Sequence, residues 1–473
     1  MSESKNLNKT NRMGETPIGR LILAMSWPAM LSMMIQAMYN VVDSYFVAKL
    51  GEQALAAVTY VTPIQFLIIA FGVGTGVGIN SLISRRLGAR NYNDANLAAS
   101  HGYRLSFVNW ILFLIIGVFF TGIFMHSMTS TEYVYNAGVS YMRIVTIGSV
   151  FCFVQITTEK ILQATGNMIF PMICSLSGAV VNIAFDPILI FGIGPFPKMG
   201  VAGAAVATVL SQLVSFVLGQ MLLFRGKHSV KVKIWGYKWN VRIVKDIYVV
   251  GGPAILMQSI SSFLQFGMNM ILGGFSETAV AVNGVYGRIQ SFIFMPVFGL
   301  NQGVLPIMGY NFGARDRSRL METYKKGMGF AMIIMAIGFI IFQVWSHGLI
   351  AIFNSQNSQD MYDIGVPAIK IISTCFIPAA FGIMTSSVFQ ATGHGFVSMW
   401  GSLIRQLFGI LPMAYIFARI WGLPIVWISY PAAEVMGVIY SIIMLRVMWL
   451  RELRYIGRDK EKLGNREITF SKR

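Results

Sequence analysis

From residue 17 to the neighbourhood of residue 450 the chain repeats one motif: a long apolar run, a short polar stretch, then another apolar run. Roughly 20 apolar residues carry an α-helix across the hydrocarbon core of a bilayer. Runs of that length fall at 17–49, 53–81, 95–125, 134–164, 168–193, 200–225, 243–274, 278–308, 318–347, 361–391, 396–421 and 424–449. The pattern predicts an all-α polytopic membrane protein with about twelve transmembrane helices. The first 20 residues are polar and include Lys5, Lys9, Arg12 and Arg20. The apolar run that opens at Leu21 is too long for a secretory signal, so it is expected to stay as a membrane helix.

Composition agrees. Of 473 residues 55% are hydrophobic and only 12% charged, about half the charged fraction of a soluble domain, and the mean hydropathy is +0.62. The net charge of +18 is unevenly spread. The N-terminus, the 82–94 loop (Arg85, Arg86, Arg90), the 226–242 loop (Lys227, Lys231, Lys233, Lys238, Arg242), the 309–319 loop (Arg315, Arg317, Arg319) and the tail from Arg451 are basic. The alternating loops around Glu132, Glu277, Asp360 and Asp363 are neutral or acidic. Basic loops stay on the cytoplasmic side, which places both termini in the cytoplasm of a cell membrane. The basic surface then reads as a topology signal and a lipid-headgroup contact, not as a nucleic-acid interface.

An internal repeat organises the runs. A shift of 225 positions aligns Pro28 with Pro253, Gln65 with Gln290, Gly78 with Gly303, Gly102 with Gly327, and Gly88-Ala89-Arg90 with Gly313-Ala314-Arg315. Two residues of drift later, Gln163-Ala164-Thr165-Gly166 meets Gln390-Ala391-Thr392-Gly393. An even number of spans per repeat makes the halves parallel, with a cavity between them. The expected division is a cytoplasmic segment 1–16, an N-lobe 17–225, a linker 226–242, a C-lobe 243–450 and a basic tail 451–473.

Few acids lie deep in the runs: Asp43, Asp186 and Glu434. A charge there is costly and marks function by default. Gln36, Asn40 and Asp43 share one helix face, Tyr39 stands four residues before Asp43, and Asn182 stands four before Asp186. A sequestered carboxyl can hold a proton and release it on meeting water. The same oxygens, with a hydroxyl such as that of Thr208, suit sodium, a hard cation. Alternatively these groups only hydrogen-bond the helices together. Pro28 and Pro187 each remove a backbone donor and permit a bend. Thirty methionines, among them Met25, Met30, Met33, Met34 and Met38 on the first run, suit either an adaptable apolar cavity or plain packing. Arg143, Arg288 and Arg405 snorkel, pair with the acids, or line a path for an anion. His101, His126, His228, His347 and His394 fall near loop ends, and Cys152, Cys174 and Cys375 are scattered in apolar runs. Neither set has metal or nucleophile spacing, which argues against an enzyme.

The segments YNVVDSYFVAKLG, VNIAFDPILIFG and GVAGAAVAT, with the doubled GAR and QATG motifs, resemble the multidrug and toxic compound extrusion family over residues 15–450, and its DinF-like prokaryotic branch in particular. The resemblance implies two six-helix bundles in a V and a monomeric secondary antiporter. It would export amphipathic, often cationic, drug-like compounds in exchange for inward H+ or Na+, without an organic cofactor, in a prokaryotic cytoplasmic membrane. It implies a cation site in the N-lobe built from Asp43, Asn182, Asp186 and Thr208, supported by Tyr141. Gln36, Tyr39, Asn40 and Met33 then support the site or the cargo cavity, and Pro28 matches a bending-helix proline. Another branch of the family places essential acids on the seventh and tenth spans. Here the seventh carries none, and Asp360 and Asp363 only flank the tenth. A flippase of lipid-linked or anionic cargo is the alternative within the same superfamily. It would require a strongly cationic cavity.

Overall fold

The computed structural model describes residues 12–226, 228–233, 236–354 and 358–456, apart from the side chains of Arg12, Asn40 and Val41. Eleven helices are long and apolar enough to cross a membrane, and a bent pair makes a twelfth span. They are α1 (Ile18–Ala48), α2 (Glu52–Gly88), α3 (Tyr92–Met128), α4 (Glu132–Ala164), α5 (Ile169–Phe191), α6 (Val201–Arg225), α7 (Val241–Gly273), α8 (Glu277–Gly313), α9 (Arg317–Val344), the pair α10 (Gln359–Ser373) and α11 (Phe376–Thr392), α12 (Gly395–Ile420) and α13 (Leu423–Leu453). Their outer faces stay apolar: Phe119 and Ile123 are 70% exposed and Val344 73%. Water would not tolerate so continuous an apolar surface. Lipid does.

Two features go beyond the run pattern. The tenth span is bent: α10 and α11 meet at 47°. Pro378 has no N–H to give the carbonyl of Thr374, so the ladder tightens to i→i−3 bonds at Thr374 and Cys375 before resuming at Ala379. The basic loops are also shorter than the hydropathy pattern suggests. Arg85 and Arg86 ride on the last turns of α2, and Arg317 and Arg319 open α9. Long side chains at a helix end can reach water while their backbone stays helical.

The doubled GAR motif explains how two pairs of spans are joined. α2 ends with Asn91 N–H donating to Arg86 O (2.8 Å) and Arg90 N–H to Leu87 O (3.0 Å), with Arg90 left-handed at φ 59°. The same turn closes α8: Asp316 N–H to Asn311 O (2.9 Å), Arg315 N–H to Phe312 O (3.1 Å), Arg315 at φ 55°. Asn91 and Asp316 then cap the next helices, accepting from the N–H of Asp94 and of Arg319. The repeat is therefore structural as well as textual.

Within the first half α2 packs on α4, α4 on α6, and α5 on α6; in the second, α8 packs on α9 and α9 on α11. The halves meet where α2 lies along α7 and α8 along α1. The first helix of each half starts inside the other half's core. Ile18, Leu21, Ile22 and Met25 are buried with second-half residues, and Ile243 and Ile247 with first-half ones. Between the two contacts, α2 and α8 cross at the doubled motif. A Cβ on Gly88 would lie 1.9 Å from Tyr310 O, and one on Gly313 2.0 Å from Arg85 O. Only glycine permits that approach.

The basic segments gather at this crossing. Arg86 pairs with Asp246 (3.3 Å) and Asp94 (3.5 Å), and Arg319 donates to the carbonyls of Met13 and Thr16. Arg317 lies over the ring of Trp449, 4.3 Å from its centroid. Arg104 covers Tyr237 of the linker, whose hydroxyl burial pushes above its ordinary range. Lys227, in the same linker, lies outside the described residues.

Candidate cation and cargo sites

α5 carries Asn182 and Asp186 one turn apart, both completely buried. Asn182 Nδ2 donates to Asp186 Oδ1 at 3.4 Å. The helix continues through Pro187, and its far end is gripped by α6. A Cβ on Gly203 would stand 2.5 Å from Leu189 O, so glycine there lets the two backbones touch. Across from Asp186, α1 presents Asp43, half-buried, with the two carboxyl groups within hydrogen-bonding reach of each other. Tyr39 and Tyr141 stand within electrostatic range of both acids. Tyr141 on α4 is 1% exposed, and its hydroxyl accepts from Gln65 Nε2 of α2 at 3.0 Å. Four helices thus converge on one acidic pocket.

Three oxygens of this pocket are buried without a hydrogen-bond donor: Asp43 Oδ1, Asn182 Oδ1 and Asp186 Oδ2. Orphaned buried acceptors are costly, and a small positive ion relieves them. Either a proton on one carboxyl or a sodium ion among the oxygens fits this donor set. Among the described residues no group of three or more His, Cys, Asp or Glu side chains could hold a metal.

The remaining expected residues divide. Thr208 on α6 is 8% exposed, and among the described residues its hydroxyl is hydrogen-bonded to neither carboxyl. Gln36 is exposed on α1, and Asp43 Oδ1 has no hydrogen-bond partner among the described residues. The side chain of Asn40 lies outside the described residues. Pro28 is buried within an unbroken α1, one turn before Ser32, whose hydroxyl returns to the Pro28 carbonyl at 2.9 Å. Met33 does not join the acids. It lines a second space.

That space is a cavity of about 380 Å3 walled mainly by the second-half helices α7, α8, α11, α12 and α13, with Met33 of α1, Val73 and Val77 of α2 and Lys160 of α4 completing its wall. Apolar patches from Met33, Val73, Val77, Met257, Phe298 and Phe389 alternate with Gln258, Asn301, Gln302, Ser386, Gln390 and Ser398. Its charged members are Lys160, Arg405 and Glu434. Glu434, whose role the sequence leaves open, is 5% exposed and accepts from Arg405 Nη1 at 3.2 Å. Arg143 and Arg288 are exposed and absent from the cavity wall.

Sequence reasoning missed the Glu159-Lys160 pair. Glu159 is a fourth intramembrane acid, held by Gln155 (3.2 Å) and Ser175 (3.3 Å). Lys160 is 6% exposed. Adjacent opposite charges in an apolar run were the available signal, but they lie little more than a turn from its end at Ala164, where such charges resemble a snorkelling boundary. The second half holds a polar cluster of carboxamides and tyrosines, with the Arg405–Glu434 pair within electrostatic range of its Tyr286. Asn283 donates to Asn269 (3.0 Å), Tyr430 donates to Asn283 (3.3 Å), and the Tyr286 hydroxyl is buried unpaired.

Comparison with known proteins agrees with this architecture. The family model MatE matches residues 28–188 and 253–416, one stretch in each half. The chain is similar to the multidrug export protein MepA of Staphylococcus haemolyticus, 25% identical over 435 residues that cover 90% of this chain and 94% of that one. It is similar also to the probable multidrug resistance protein YoeA of Bacillus subtilis, 26% identical with 90% and 93% covered. Among solved structures it superposes on the outward-facing conformation of a multidrug resistance MATE family transporter of the MOP superfamily. The TM-score is 0.86 at 28% identity, over 94% of this chain and 98% of that one.

Proposed function

We infer that this chain, which belongs to the MatE family of multidrug and toxic compound extrusion transporters, is a secondary active antiporter that exports amphipathic compounds against inward H+ or Na+. The family is one of transporters, not enzymes, so the polar residues in the membrane are read as transport groups. The single observation that carries the coupling role is the convergence of Asp43 and Asp186 from two helices, with three donor-less oxygens around them. Two adjacent carboxyls in an apolar setting cannot both stay charged and unpaired. They therefore take up a cation when sealed from water and release it when water enters. In this reading α1 is the mobile element, because it carries Asp43, Pro28 and the cavity-lining Met33 together. Ion occupancy at one end of α1 changes its fit against α5, and the cavity wall moves with it.

The coupling ion stays a choice of two, and the engagement of the buried second-half acid Glu434 by Arg405 supports a cation site in the first half. A bacterial cytoplasmic membrane, with the basic end inside, fits the charge distribution. A cargo that is wholly anionic is less well served: Arg405 is neutralised by Glu434, Arg143 and Arg288 do not reach the cavity, and Lys160 alone remains as a cation on its wall.

The test is dye efflux from proteoliposomes with proton and sodium gradients imposed separately. Asp43→Asn and Asp186→Asn should each reduce gradient-driven efflux at least about tenfold, the effect of losing one charge-assisted interaction, with protein yield unchanged. Full efflux in both variants removes the acids from the mechanism. Dependence on only one gradient identifies the ion.

A further inference from the structure

We propose that Lys160, with Gln163 and Gln302, forms a subsite in the central cavity that recognises an anionic oxygen group, a carboxylate or phosphate, on the cargo. This rests on the reading of the cavity as the cargo path and narrows it: compounds with an acidic group, zwitterions above all, are favoured over simple cations.

Burying an ammonium is costly unless an anion or several acceptors meet it. Lys160 has only acceptors. Its Nζ donates to Gln163 Oε1 at 3.0 Å and to Gln302 Oε1 at 2.9 Å. An ammonium has three protons to give and no lone pair to offer, so both carboxamides must turn their oxygens towards it. Gln302 Oε1 accepts a second time, from Gln163 Nε2 at 3.1 Å. The acceptors of the cluster are thus consumed internally. What it can present to the cavity is donors: the third ammonium proton and the amide N–H groups of Gln302, since Lys160 and Gln302 both line the space.

Glu159 lies within electrostatic range of Lys160, yet no acid meets the ammonium in a hydrogen bond. The neighbouring Glu159 turns its carboxyl to Gln155 and Ser175 and does not line the cavity. Glu434 is engaged by Arg405 at 3.2 Å. The charged side chains of the wall are two cations and one acid, Lys160, Arg405 and Glu434, which leaves one positive charge facing cargo. A donor-only, positively charged patch beside apolar walls such as Met33 and Phe389 matches an amphiphile with one anionic head. Because Lys160 lies on α4 and Gln302 on α8, the same contact also ties the halves together. A purely structural tie is therefore the competing role to be separated by experiment.

Three rhodamine-type probes of similar size serve on the full chain: a cationic ester, its zwitterionic free acid, and anionic carboxyfluorescein. Binding to the purified protein is read by fluorescence anisotropy, and efflux is read in proteoliposomes. Lys160→Gln should weaken binding of the free acid about tenfold or more relative to the ester, and Lys160→Arg should restore most of it. Equal weakening of all three probes assigns Lys160 a structural role only and overturns the proposal, as does unchanged binding of the free acid. Selective loss of binding in a protein that pumps none of the probes under either gradient keeps the subsite and removes the exporter reading instead.

Discussion

At the scale of single residues, the molecule separates two kinds of buried charge. Asp43 and Asp186 meet each other with oxygens left over, an arrangement that suits reversible occupancy. Glu434 meets Arg405, an arrangement that suits permanence. Removing one member of a buried pair leaves the other uncompensated and costs about 3–5 kcal/mol. Arg405→Ala should therefore lower the melting temperature of the detergent-solubilised protein clearly, and the double variant Arg405→Ala with Glu434→Gln should recover part of the loss. If the single variant melts like the parent, the pair contributes nothing to stability. Asp186 and Asn182 were legible from the text, because a charged residue and its amide at i, i+4 in an apolar run leave few alternatives. Lys160 was not. Its meaning depends on Gln302, which is 142 positions away and comes from the other half.

At the scale of elements, α1 joins the two sites, since Asp43 serves the acidic pocket and Met33 the cavity. Pro28 lies inside this helix without breaking it, and the carbonyl of Ala24 lacks its usual donor. Pro28→Ala restores that donor and stiffens α1. Transport should fall several-fold while thermal stability holds or rises, measured by efflux and melting on the same preparation. Efflux at the parental rate would show that bending at this point is dispensable. The helices themselves followed from hydropathy to within a few residues, except at their basic ends. There a run of arginines reads as loop, yet the backbone hydrogen bonds of α2 and α9 continue beneath them. The break at Pro378 was also hidden, because prolines elsewhere in the chain, Pro28 and Pro187 among them, sit in continuous helices.

At the scale of the whole molecule, the two halves are closed against each other at the basic end by reciprocal contacts: Gly88 on Tyr310, Gly313 on Arg85. Alternating access requires this closure to open. A side chain at either glycine would overpack the crossing at a cost of about 1–3 kcal/mol, enough to move a two-state equilibrium roughly 5- to 150-fold. Gly88→Val and Gly313→Val should each shift the population towards a state open at the basic end. Spin labels on the two GAR turns, read by pulsed dipolar spectroscopy, would report a longer distance. An unchanged distance in both variants would show that the crossing is not a gate.

By itself the sequence determined the membrane as solvent, the number of crossings, the duplication and the first-half acids. These follow from local rules: apolar length, charge asymmetry, a fixed shift of 225 positions and the helical period. Tertiary structure alone decided which polar groups share a pocket. It brought Asp43 to Asp186 and left Gln36 exposed, tied Glu434 to Arg405, and set Lys160 against Gln302. The reason is physical. Burial cost tells the chain that an intramembrane charge must have a partner, but several helices offer one, and only close packing between halves selects among them.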